Sequence, residues 1–257
     1  MSVTLKRSHG PAVFVHGIPE TAAVWGPMLA GLGREDAICL SPPGFGTPVP
    51  GRFEPTPTSY RNWLICELER IGAPVDLVGH DWGGGHVVGV AMERPDLLRS
   101  WISDSIGIYH PEYVWHDTAR IFQTPGDGEN QIAALIECAP AERAAQMQVW
   151  GMGEAAEHVA AEQDADMGRA TLALYRAAAQ PTMALAGQRL HQAAARPGLV
   201  VLATDDHFVG TEPQIRETAR RAGAALAVLP DVGHWWMIQD PRAGAGAISR
   251  FWASLHK

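Results

Sequence analysis

Ten residues, Val75-Asp76-Leu77-Val78-Gly79-His80-Asp81-Trp82-Gly83-Gly84, constrain this chain more than any other segment. Four residues of strand character run into a Gly-x-Asp-x-Gly turn, and a helix-compatible stretch, His86 to Arg94, follows at once. A strand that turns sharply into a helix belongs to a parallel sheet, and the apex of so tight a turn is thrust outward as a nucleophile elbow. The flanking glycines answer a steric demand, since a Cβ at either would strike the neighbouring strand or helix. The apex here is Asp81. A carboxylate attacks through an oxygen that is already ionised and leaves an ester, whereas serine must first lose a proton. That points toward opening a C–O or C–halogen bond at saturated carbon. The plainer alternative is an aspartate that merely caps the helix beginning near Trp82.

The rest of the chain repeats the alternation. Pro11–Val15 and Ala37–Leu40 read as short apolar strands separated by a helix around Thr21–Leu32. After a Pro/Gly-rich loop from Ser41 to Thr58, the residues Tyr60, Trp63, Leu64, Leu68 and Ile71 recur at helical spacing with one face buried. Leu98–Ser103, Gly198–Ala203 and Ala224–Leu229 continue the strands, and Ala243–Leu255 closes as a helix. Residues 105–197 break the rhythm: rich in Ala, Gln, Glu and Met, they read as helices with loops at Thr124–Asn130 and Gly151–Gly153. The expectation is an α/β core, residues 1–104 and 198–257, with an inserted helical cap at 105–197 over the carboxyl edge of the sheet, where open α/β folds bind ligands.

With 257 residues, 46% hydrophobic and 19% charged, one domain with an ample core is affordable. A net charge of −8 argues against nucleic acid and anionic membrane surfaces as partners. Cys39, Cys66 and Cys138 form no CxxC pair and read as reduced thiols. Met1 to Pro11 carries charges without an apolar signal core, and no run reaches membrane-span length, so a cytoplasmic location is expected.

Three further turns complete a constellation with Asp81. Val15-His16-Gly17-Ile18-Pro19 offers main-chain N–H groups, and Ile18 N–H with Trp82 N–H would make an oxyanion hole. Ala203-Thr204-Asp205-Asp206-His207-Phe208 ends a later strand, and Pro230-Asp231-Val232-Gly233-His234-Trp235 puts a histidine after the last one. Each lies just beyond an expected strand.

At these residues the chain resembles the α/β-hydrolase family, and within it the epoxide hydrolases. The resemblance rests on His16-Gly17-Ile18-Pro19-Glu20, Ser41-Pro42-Pro43-Gly44-Phe45-Gly46, the Asp81 elbow and the His234 turn. It extends to Phe122-Gln123-Thr124-Pro125-Gly126 and Leu174-Tyr175-Arg176 in the insertion. It implies the nucleophile–acid–histidine order Asp81, Asp206, His234, with Tyr175 as a ring-opening tyrosine. Asp205 is then a turn residue and Asp104 the second candidate for the acid. Trp82, Trp115, Phe122 and Trp150 are expected to bind a small apolar substrate; no metal or cofactor is implied, and homo-oligomerisation stays open. The family's other tyrosine should precede Phe122, but that position is Ile121. Either Tyr109, Tyr113 or His116 substitutes, or Tyr175 works alone, or the substrate is no epoxide. Two rival readings stand beside this one. A haloalkane dehalogenase would use Trp82 with Trp115 or Trp150 as halide donors, and a non-catalytic sensor would use the same fold only to bind. His80 and His86 read as structural, Gly83-Gly84-Gly85 as close helix–sheet packing, and Met147, Met152, Met167 and Met183 as core or pocket lining.

Overall fold

The computed structural model describes residues 10–255; both ends of the expected core, 1–9 and 256–257, lie outside it. Six strands, β1 (Ala12–Val15), β2 (Ala37–Leu40), β3 (Val75–Gly79), β4 (Leu98–Ser103), β5 (Gly198–Ala203) and β6 (Ala225–Leu229), form one sheet in the order β2-β1-β3-β4-β5-β6. Every pairing is parallel. A parallel sheet needs crossovers, and the crossover helices bury both of its faces. Side-chain alternation shows this directly. Val13, Val15, Val75, Leu77, Val200 and Leu202 enter one core, while Ala12, Phe14, Val78, Ile102, Leu199 and Val201 enter the other.

The helices of the core are α1 (Gly26–Leu32), α2 (Pro57–Ile71) and α3 (Trp82–Glu93). Six helices then stand between β4 and β5: α4 (Asp117–Gln123), α5 (Asp127–Glu137), α6 (Pro140–Val149), α7 (Ala155–Glu162), α8 (Ala165–Ala177) and α9 (Thr182–Gly187). The core resumes with α10 (Glu212–Arg221), α11 (Trp236–Gln239) and α12 (Pro241–Ser254).

Three sequence expectations need correction. The helix expected over Thr21–Leu32 is a 3-10 turn, Ala22–Trp25, followed by α1, because Pro27 cannot donate the amide that a continuous helix would require. The expected loop Thr124–Asn130 is helical from Asp127. Gly126, at φ 87°, turns the chain, and its N–H donates to Glu129 Oε2 at 2.7 Å. Helix α10 escaped the periodicity reading, although Thr211 and Gln214 form a capping box at its start. By contrast, Tyr60, Leu64 and Leu68 are buried along one stripe of α2, with Trp63 and Ile71 partly covered.

The insertion is tied together by a buried cation. Arg143 donates to the carbonyls of Leu135 at 3.0 Å in the last turn of α5, of Cys138 at 2.9 Å just after it, and of Ala160 at 2.8 Å in α7. Two helix C-termini, each carrying partial negative charge, thus share one guanidinium.

Candidate active site

Strand order decides which turns meet. β3 lies between β1 and β4, with Val15 opposite Gly79 and Gly79 opposite Ser103. The residues just past these ends, Ile18, Asp81 and Asp104, are therefore neighbours. β5 pairs with β6 out to Ala203 opposite Leu229, and Asp205 N–H continues the pairing to Val232 O at 2.9 Å. Asp206 and His234 are brought together in the same way.

Asp81 sits at the apex of the elbow with φ 50° and ψ −125°, a conformation that side-chain-bearing residues rarely hold. The glycines make the turn fit: a Cβ on Gly79 would come within 2.5 Å of Gly83 O, and one on Gly83 within 2.2 Å of Val15 O. Gly17 is as constrained, since its Cβ would lie 2.3 Å from that of Asp81.

Ile18 N–H donates to Asp81 Oδ1 at 3.0 Å. The other expected donor, Trp82 N–H, makes no hydrogen bond to that carboxylate among the described residues. Oδ2 faces His234 Nε2 at 3.7 Å, and His234 Nδ1 bonds Asp206 Oδ2 at 2.8 Å. Asp206 Oδ1 is fixed by Phe208 N–H at 2.8 Å. Burial pushes the Asp81 carboxyl above its ordinary range. Burial also works against a charge on His234, but the Asp206 carboxylate outweighs it and raises that imidazole above its usual value. Asp206 moves the other way: burial opposes ionisation, and the adjacent His234 more than restores it.

Asp104 does not touch His234. Its Oδ1 accepts from Asp81 N–H at 2.9 Å, and its Oδ2 meets His80 Nδ1 at 2.5 Å and Trp236 Nε1 at 2.7 Å. His80 Nε2 bonds Glu20 Oε1 at 3.1 Å, and that oxygen also receives Trp235 Nε1 at 2.5 Å. Burial disfavours charge on His80, yet Glu20 and Asp104 on either side hold it well above its ordinary pKa, as an imidazolium. Burial likewise opposes ionisation of Glu20, but His80 lowers its carboxyl to about 2. The His80 ring lies 4.6 Å from that of His234. Glu20, His80 and His234 are close enough to suggest metal ligands. With both His80 nitrogens donating to carboxylates, however, no lone pair remains for a cation. The sequence reading gave Glu20 no role and His80 only a structural one. No local sequence signal marked either, since their contact joins segments 60 residues apart.

A cavity of about 340 Å³ opens above this base. From the core it is lined by Ile18, Asp81, His234 and Trp235, and from the insertion by His116, Phe122, Met147, Trp150, Gln163 and Tyr175. Four expected site residues, Phe122, Trp150, Tyr175 and Ile18, thus reach one cavity with Asp81 and His234. Trp82 and Trp115 are not on its wall. They stack on each other, centroids 5.7 Å apart, and both meet Tyr175 edge-on at 5.4 and 5.6 Å. Their bulk supports the tyrosine from behind, which is why an expected substrate contact becomes a packing one. Burial, and then the negative charge of Asp81, keep the Tyr175 phenol protonated well above its ordinary pKa.

A 148-residue stretch is 32% identical to "Epoxide hydrolase 2" of Siraitia grosvenorii, covering 49% of this chain and 46% of that protein. A 103-residue stretch is 32% identical to an "Epoxide hydrolase" of Caballeronia sordidicola, covering 37% and 31%. The matched stretches span less than half the length of these relatives. Among solved structures, a loop variant of a haloalkane dehalogenase from Bradyrhizobium elkanii superposes with a TM-score of 0.69 at 22% identity, over 98% of this chain and 93% of that one. At that identity the likeness speaks for the fold alone. Residues 12–247 match the profile described as "Alpha/beta hydrolase family", and the chain belongs to that family of hydrolases.

Proposed function

We propose that the chain opens an epoxide to a vicinal diol through an ester on Asp81. The observation that carries the reading is the division of the Asp81 carboxylate. Oδ1 is held by Ile18 N–H, and Oδ2 is left toward the cavity and His234. Oδ2 attacks a ring carbon from behind. The C–O bond breaks, and the departing oxygen takes its proton from Tyr175 O–H. Oδ1 then remains as the ester carbonyl oxygen. His234 removes a proton from water, and the resulting hydroxide adds to the ester carbon. The oxyanion forms on Oδ1, where the Ile18 amide already points, a contact of the kind worth about 3 kcal/mol in the transition state. Collapse releases the diol and returns the carboxylate with one oxygen from water; the proton on His234 passes back to the tyrosine through solvent. Asp206 orients His234 and stabilises its cationic form.

In this reading residues 105–197 are the cap that closes the site, and the substrate is small and apolar, matched by Phe122, Met147 and Trp150. It needs neither nucleic acid nor membrane, and the cytoplasm is the expected setting. A dehalogenase reading has one observation in its favour: Trp115 Nε1 is buried without a partner beside Trp82, as a halide donor would be. Mass spectrometry of His234→Gln incubated separately with epoxides and haloalkanes separates the two. The reading expects a mass gain on the Asp81 peptide from an epoxide only; adduct formation from haloalkanes alone would replace it with dehalogenation.

A further inference from the structure

Ile121, where the resemblance would place a second ring-opening tyrosine, is 37% exposed and absent from the cavity wall. The position itself, and not merely the residue type, fails to face the site. Three nearby groups were candidates to replace it, and their hydrogen bonds separate them. Tyr109 O–H donates to Gly85 O at 2.7 Å, and Tyr113 O–H donates to Phe208 O at 2.6 Å. A phenol has one proton to give, and in both it is already committed. Neither residue lines the cavity.

His116 does line it. It is the N-cap of α4, and its Nδ1 accepts the Ala119 N–H at 3.3 Å. A neutral imidazole that accepts at one nitrogen carries its proton on the other, so the cap fixes the tautomer with N–H at Nε2. No group of the protein pairs with Nε2 among the described residues. The ring stands edge-on to Tyr175, centroids 6.3 Å apart, and to Phe208 at 4.9 Å. Phe208 in turn packs on His234 at 5.0 Å, so the imidazole is held among the groups that flank the reacting carbon.

We propose that His116 Nε2–H is the second hydrogen-bond donor to the oxygen leaving the substrate carbon, partnering the Tyr175 hydroxyl. This rests on the epoxide reading. The proton stays on Nε2 throughout; the departing oxygen takes its proton from Tyr175, and His116 stabilises the charge that builds there first. Burial, together with the adjacent His234, pulls the His116 pKa to about 4. At working pH the group is therefore a neutral donor with no competing ionisation.

The test is pre-steady-state alkylation by styrene oxide in two variants that differ in the reach of their side-chain amide. His116→Asn keeps a favoured N-cap residue but is too short to present a donor in the cavity. His116→Gln is long enough to present an amide N–H there. The proposal expects alkylation to slow on the order of 10²-fold in H116N, most of it recovered in H116Q, with ester hydrolysis and melting temperature near wild type in both. Alkylation of H116N within about twofold of wild type, or equal losses in both variants, would overturn it. Should H116N fail to fold, His116→Leu is read by the same criterion. Absence of alkylation of wild type by any epoxide, cyclohexene oxide included, would instead remove the epoxide reading and this proposal with it.

Discussion

His234 presents Nε2 to Asp81 Oδ2 across 3.7 Å, a gap too long for a hydrogen bond and open to the cavity. The negative charge of Asp81 contributes to the raised pKa of His234. Esterification of Asp81 removes that charge, so the imidazole loses proton affinity at the step where it must act as a base. The pH midpoint for ester hydrolysis in single-turnover experiments should therefore lie below the His234 titration of the free enzyme followed by NMR. An equal or higher midpoint would count against this electrostatic coupling.

Asp206→Asn and Asp104→Asn should fail differently. The first exchanges the acceptor at His234 Nδ1 for an amide and favours the wrong tautomer, so hydrolysis should drop by about 10⁴ while one equivalent of substrate is still consumed. The second leaves His234 untouched but removes one of two charges that hold the buried His80 imidazolium. Its main cost should appear in unfolding experiments, as about 3 kcal/mol or more of stability. A variant Asp104→Asn that folds normally yet stalls at the ester would move the acid to Asp104.

Tyr175→Phe removes one oxygen from a ring packed against Trp82, Trp115 and Phe122. Epoxide opening should fall by at least ~10², since an alkoxide leaves poorly without a proton. The same variant should bind a diol product as well as wild type does by calorimetry. Unchanged turnover would remove Tyr175 from the chemistry.

His86 stacks on Tyr60 with centroids 5.0 Å apart, its Nε2 is unpaired, and burial lowers its pKa to about 3. The unfolded chain binds a proton there near pH 6.5 and the folded protein does not, so stability is lost as pH falls below about 6.5. By pH 5 this one residue should cost about 2 kcal/mol. His86→Phe should flatten that decline in urea titrations at pH 7 and pH 5; an unchanged slope would show that His86 does not drive it.

The sheet was legible because each strand is a short apolar run ended by glycine, proline or aspartate, and the elbow because Gly79 and Gly83 bracket Asp81. The choice of Asp206 as partner of His234 came from the family resemblance, with Asp104 as the alternative, because two acids follow strands there and only the folded contact separates them. What escaped depends on contacts between distant segments. Nothing local in Glu20 or His80 announces that residues 60 positions apart share a proton-rich bond. Trp115 looked like a substrate contact until its stacking on Trp82 placed it behind Tyr175. Gln163, on the cavity wall, sits in an ordinary polar stretch after α7 and gave no signal.

The central claim is that Asp81 becomes an ester, and it is tested most directly by a single turnover in heavy-oxygen water with enzyme in excess over epoxide. The account predicts that the first diol carries an unlabelled oxygen donated by Asp81. The tryptic peptide from Ile71 to Arg99, uncut at the Arg94–Pro95 bond, should then gain the heavy oxygen at Asp81. Label in the first diol, with that peptide unchanged, would mean direct attack by water and would contradict the account.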